Sequence, residues 1–414
     1  MHLPAELTDV RLIAGIVIFI ASYVVFAFGK FPGMKIDRPG MAIIGAVLMV
    51  AFRVVRADDA LKAVNFATIV LLFAMMVIVA NLHLVGFFDR IAASVVARLG
   101  RAHLLPAVIL STGVLSAFFV NDIICLVMVP IVLKVTRRMG VPPLPYLLAV
   151  ATASNIGSVA TITGNPQNIL IGSYSGISYI KFLAHLGPIA AVGLIINWAV
   201  LHWMFPLQPP AAVTADPING VIKPPRELRL AKPAIIVAGV IAGFLFGLPP
   251  ALVAAVGAAM VLITRTMEPR LIYDEVDWGL LAFFVGLFII VAGAERVGIV
   301  AGMLDLADTW NLHNTLVFTI VTAIMSNIVS NVPAVMLLKS VVPGFPDPHS
   351  GWLLLAMAST LAGNLTVTGS IANIIVVERA REEVTITFKD YLRAGVPITV
   401  LTMSFGTLWL YLIP

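Results

Sequence analysis

Ser154 to Asn168 reads SNIGSVATITGNPQN, a run rich in hydroxyls and amides, with Gly and Pro among them, set between two strongly apolar segments. A lipid-facing helix is not built this way. Helix interiors penalise Gly and Pro, and hydrocarbon penalises every polar group left without a partner. Irregular backbone at membrane depth survives only where protein encloses it or it lines a watery cavity. The stretch is therefore expected to be the unwound middle of a broken helix, the kind of segment at which transporters hold solutes. Gly157, Gly164 and Pro166 are the residues expected to shape that loop.

The stretch also occurs twice. Shifted by 205 positions, Ser154, Thr161, Thr163, Gly164 and Asn168 fall on Ser359, Thr366, Thr368, Gly369 and Asn373, within STLAGNLTVTGSIAN. Gly363 and Gly369 are the loop formers expected of this second copy. A shift of 210 carries Ser116 and Asn121 onto Ser326 and Asn331, and a shift of 212 carries Gly45 and Gly86 onto Gly257 and Gly298. The chain is read as a duplication: a first repeat over 1–206, a linker over 207–231 containing LQPP and KPPREL, and a second repeat over 232–414.

With 414 residues, 60% of them hydrophobic and only 11% charged, the chain holds more apolar surface than one aqueous core can hide. Lipid must be the solvent for most of it. The fold class expected is an all-α polytopic membrane protein of two inverted repeats of five spans, each with a re-entrant hairpin and a broken helix, about ten spanning segments in all. Full spans are predicted near 12–29, 40–56, 66–86, 187–206, 233–248, 250–264, 278–294 and 390–413, and the first is expected to be retained rather than cleaved. Residues 87–100 and roughly 299–309 read as amphipathic helices at the interface. The segment 103–139 is too long for one span and carries Asn121 and Asp122 near its middle, so it is expected to fold as a hairpin with those residues at the tip. Its second copy turns at Ser330, Asn331 and Pro333.

Five crossings per repeat is an odd number, which forces the second copy to enter upside down. Charge agrees: 19 of the 26 Lys and Arg residues fall on the linker side and seven on the other. The positive-inside rule then places the linker in the cytoplasm and both termini outside, in a cytoplasmic (inner) membrane.

FVNDIICLVMVP, ASNIGSVATITGNPQN, SNIVSNVPAVM and GNLTVTGSIAN together resemble the ion transporter superfamily that includes arsenical pump permeases, sodium/proton antiporters and divalent-anion/sodium symporters. The resemblance covers nearly the whole chain. The Asn-Asp tip and the Asn-x-Pro pattern look most like the arsenite-efflux branch, while the Ser-Asn-Thr signature of the dicarboxylate branch is absent from both tips. It implies a secondary active transporter, most directly a proton-coupled exporter of arsenite or antimonite. The alternative is a sodium- or proton-coupled carrier of a small dicarboxylate-like anion, or a sodium/proton antiporter. A cytosolic ATPase subunit is a partner that some arsenical permeases use.

The convergence of the two copies is expected to gather Asn121, Thr161, Thr163, Asn165, Asn168, Ser330, Asn331, Thr366, Thr368 and Asn373 around the solute. This set has no Lys, Arg or His, so hydrogen bonds must do the holding. Asp122 is the one carboxylate at a tip and the residue expected to couple transport to protons, since an unpaired carboxylate at membrane depth favours protonation. No cofactor, metal site or nucleic-acid partner is expected, the partners being a small inorganic solute, protons and lipid. Cys125, the single cysteine, cannot supply three thiolates to arsenic and reads as a small buried hydrophobe. His83 and Glu295 match under the 212 shift and read as boundary residues, with Glu295 paired locally to Arg296. No His, Cys or paired-carboxylate constellation points to an enzyme.

Overall fold

The computed structural model describes residues 5–29, 35–88, 90, 100–206, 231–264 and 267–413. The linker, apart from Ala231, and most of the expected interfacial segment 87–100 lie outside these. Among the described residues regular structure is helical. In the first repeat the order is α1 (Ala5–Phe28), α2 (Arg38–Ala51), α3 (Ala57–Ala63), α4 (Phe66–Leu84), α5 (Leu104–Phe118), α6 (Asn121–Met139), α7 (Leu144–Ser158), α8 (Pro166–Ser175) and α9 (Tyr179–Met204). The second repeats it with α10 (Ala231–Leu245), α11 (Pro250–Ile263), α12 (Pro269–Asp274), α13 (Trp278–Arg296), α14 (Ile299–Thr309), α15 (Thr315–Val329), α16 (Asn331–Leu338), α17 (Pro348–Leu361), α18 (Ile371–Ala380) and α19 (Phe388–Leu412). Among the described residues six helices are long and apolar enough to cross a bilayer, and four shorter apolar helices join them.

Packing exchanges the two copies pairwise, as an internal two-fold must. Helix α2 lies on α13 and its equivalent α11 lies on α4. In the same way α5 packs on α7 and α15 on α17, α6 on α18 and α8 on α16, while the two last spans, α9 and α19, pack on each other. Because lipid is as apolar as the side chains, these contacts gain little from hydrophobicity and depend on close backbone approach. Helix α11 illustrates it: Ala254, Gly257, Ala258 and Val261 face protein, while Leu252 and Ile263 are 61% and 77% exposed. Gly286 of α13 sits so close to Ala42 of α2 that a Cβ there would run into backbone.

Gly86 and Gly298 follow the ends of α4 and α13 with φ of 75° and 80°. Both adopt the left-handed turn that glycine takes without steric penalty, which explains their match under the 212 shift. Helix α14 occupies the second expected interfacial segment. The last spans begin earlier than predicted, at Tyr179 and Phe388, where the Ser178 and Thr387 side chains cap them, and both run on through Pro188 and Pro397.

Glu295 and Arg296 do not pair with each other. Arg296 bonds Asp59 at 2.7 Å and Glu295 lies 3.7 Å from Lys339. Successive residues on a helix point about 100° apart and cannot face one another, so each reaches a different neighbour. The Arg296 guanidinium holds the Asp59 carboxyl below its usual range. His83 in turn lies 3.4 Å from Glu275.

Candidate solute site

Each hairpin breaks at the predicted tip. Helix α5 ends at Phe118 and α6 starts at Asn121, putting Asn121 and Asp122 in its first turn. The second hairpin reverses at a single residue, Ser330, with φ 77° and ψ 157°. L side chains rarely occupy that region. The broken spans place two more helix starts here: α8, where Asn165 caps by accepting from the Asn168 N–H at 2.8 Å, and α18 after Ser370. Four helix N-termini, with the positive ends of their dipoles, thus belong to these segments.

The unwound turns keep themselves together with asparagine. The Asn168 amide donates to the carbonyls of Ser158 (3.1 Å) and Thr161 (3.0 Å), and its equivalent Asn373 donates to those of Gly363 (2.6 Å) and Thr366 (3.0 Å). Each side chain thereby satisfies carbonyls that the helix break leaves without partners. Thr161 donates to the Ala117 carbonyl, Thr163 bonds the Tyr179 hydroxyl at 2.9 Å, and Asn165 donates to Ser158 Oγ at 2.9 Å. In the second copy Thr366 donates to Asn327 Oδ1 at 3.1 Å and lies 3.3 Å from Thr368.

A cavity of about 130 Å³ opens where the four starts meet. Of the residues predicted from sequence it is lined by Asn121, Asp122, Pro166, Ser330 and Asn331. Thr161, Thr163, Asn165, Asn168, Thr366, Thr368 and Asn373 are not on its wall; their bonds hold the turns that form it. Cys125 is fully buried away from the cavity. Arg38, Gln167, Asp277 and Ser370 complete the polar lining. Arg38 corrects the expectation of a site without a basic residue. It arrives with the start of α2, carried in by the packing of α2 on α13, whose own N-cap is Asp277. The sequence signals these positions only as helix starts, Asp37-Arg38-Pro39-Gly40 and Asp277-Trp278-Gly279, and does not say what they face. Among the described residues Asp122 makes no ion pair, while Arg38 donates to the Phe26 carbonyl at 2.9 Å.

A family model described as CitMHS, the citrate transporters, matches residues 23–362, a stretch containing both hairpins and the first broken span. The chain belongs to this family. Relatives of the family member include the silicon efflux transporter LSI3 of Oryza sativa subsp. japonica, 29% identical over 96% of this chain and 97% of that one. The putative transporter arsB of Dictyostelium discoideum is 24% identical over 90% of this chain and 87% of its own. The solved structure of the Alcanivorax borkumensis YdaH transporter covers 98% of this chain and 97% of its own with a TM-score of 0.58; at 13% identity it bears on fold alone. The protein is an integral membrane secondary transporter of the citrate transporter and arsB type.

Proposed function

We propose that the chain exports arsenous and antimonous acid from the cytoplasm in exchange for protons, with the linker cytoplasmic and both termini outside. The observation that carries this is the lining of the cavity: two asparagines, a glutamine, two serines, one guanidinium and two carboxylates around about 130 Å³. A tricarboxylate would bring its charge against Asp122 and Asp277 with only Arg38 to offset it. A small neutral polyhydroxyl acid needs no such offset and finds donors and acceptors on every side. One relative is named for silicon efflux, and silicon dissolved in neutral water is itself a neutral hydroxo acid. Asp122, without an ion-pair partner among the described residues, serves as the group that takes a proton at one face and releases it at the other.

A second reading follows from Arg38 and the four helix N-termini, which favour an oxyanion: a sodium- or proton-coupled carrier of a small anion. Flux into everted membrane vesicles separates the two. The export reading expects arsenite to accumulate when the vesicle interior is acid and to leak out when the gradient is collapsed. Indifference to arsenite together with sodium-dependent dicarboxylate counterflow would overturn it.

A further inference from the structure

Asn155 lies outside the cavity and is 1% exposed, yet its bonds determine which way the cavity's own asparagine faces. Backbone carbonyls only accept, so the Asn364 amide must turn its nitrogen to the Thr152 carbonyl (3.2 Å), and Asn373 must turn its nitrogen to those of Gly363 and Thr366. Both side-chain oxygens are thereby left facing Asn155, whose nitrogen donates to them at 2.9 and 3.0 Å. The Asn155 oxygen is then the only end available to Asn121, and the Asn121 nitrogen donates to it at 3.0 Å. Ser370 Oγ gives its one proton to the same oxygen, also at 3.0 Å.

The consequence lands on the cavity wall. Asn121 is 3% exposed and its Oδ1 has no hydrogen-bond partner among the described residues. A buried amide oxygen is costly to leave unpaired, so a ligand that donates to it recovers that cost. Ser370, its proton already directed inward, likewise offers the cavity lone pairs.

We infer that Asn155 is a positioning residue that fixes Asn121 as an acceptor toward the solute, so that the site selects small solutes bearing O–H groups over oxyanions of similar shape that bear none. This rests on the solute occupying the cavity described above. Arsenous acid and iodate are a suitable pair: both are pyramidal with three oxygens, but only the acid has hydrogens to donate at neutral pH.

Titration calorimetry on the purified full-length protein, with arsenous acid, boric acid and iodate as probes, tests it. The wild type binds the acids and iodate does not displace them. In Asn155→Leu the Asn121 amide is free to turn, and the preference for acid over iodate falls by about tenfold or more, the scale of one misdirected buried hydrogen bond. Asn121→Ser, whose hydroxyl rotates either way, lowers the same ratio while leaving Asn155 and its bonds to Asn364 and Asn373 in place, and decides the matter if Asn155→Leu does not fold. An unchanged ratio in the folded variants overturns the inference and leaves the proposed function standing. So does a sodium-dependent rise in melting temperature, measured against choline, that Asn121→Ser abolishes while arsenous acid binding is unaffected. If boric acid binds with the expected loss in the variants but arsenous acid does not bind at all, the proposed function fails and the inference survives. Should neither acid bind the wild type, both fall.

Discussion

The two repeats carry the same polar pattern and use it differently. In the first, Thr161 and Thr163 are fully buried, closed over by the Tyr179 hydroxyl at the start of α9. In the second, Thr366 is half-buried and Thr368 exposed, and the helix that corresponds to α9 begins with Phe388, 56% exposed and without a hydroxyl to offer. Backbone approach differs as well. Gly157 lies so near Gly113 that a Cβ would meet its carbonyl. The equivalent positions in the second repeat are Ala323 and Ala362, and there Asn327 bridges the gap by donating to both carbonyls at 3.1 and 2.9 Å. One copy is closed by glycine and the other by a side-chain amide. The first turn is therefore expected to be a fixed wall, and the second to be the looser of the two.

The widest difference in expected effect lies at the hairpin tips, where Asp122 of the first copy corresponds to Val332 of the second. Asp122→Asn is expected to abolish gradient-driven accumulation in everted vesicles while downhill equilibration of solute persists. Val332→Asp in the Asp122→Asn background asks whether the carboxylate works from either copy. Full coupling retained in Asp122→Asn alone would remove this residue from the mechanism.

Next in size is Gly157→Val. The new side chain has backbone, not a movable side chain, in its way, and overpacking of that kind costs about 1–3 kcal/mol or more. The variant is expected to lose the monodisperse peak on fluorescence size exclusion. A normal peak would mean that the first turn is not the fixed wall described.

A gentler version compares Gly164 with its equivalent Gly369. A methyl group on Gly164 runs into the Ser158 carbonyl, whereas on Gly369 the contacts are longer, its nearest neighbours being the Asn327 side-chain oxygen at 2.7 Å and the Gly363 carbonyl at 2.9 Å. Gly164→Ala should therefore lower the melting temperature more than Gly369→Ala does. Equal losses would show that the second turn is as rigid as the first.

Much of this was legible in the residues, and the reason is local. Helix breaks at Val120, Ser330, Asn165 and Ser370 follow from Pro, Gly and polar side chains in apolar surroundings, so the hairpins and broken spans could be placed from the sequence. Asn168 and Asn373 were conspicuous for the same reason, but their conspicuousness marks a turn that must satisfy its own carbonyls. The residues that sequence reading left out, Arg38, Gln167, Asp277, Ser370 and Asn155, sit at ordinary helix starts or inside a helix. Arg38 and Asp277 become site residues only through the exchange that lays α2 on α13, a contact between positions about 240 apart in the chain that no local pattern encodes.

The smallest effect is the one that differs in sign. Val120 and Ser330 occupy matching places at the two tips, but Val120 has φ −56°, open to any residue, and Ser330 has φ 77°. A non-glycine residue there carries about 1–3 kcal/mol of backbone strain, of which glycine relieves most while adding about 1 kcal/mol of chain entropy to the unfolded state. Ser330→Gly is accordingly expected to leave the melting temperature unchanged or raise it slightly. Val120→Gly gives up a side chain only 1% exposed and gains no relief, so it should lower it. If both glycines destabilise alike, the strain at Ser330 is not being borne by its backbone, and the second tip is held no differently from the first.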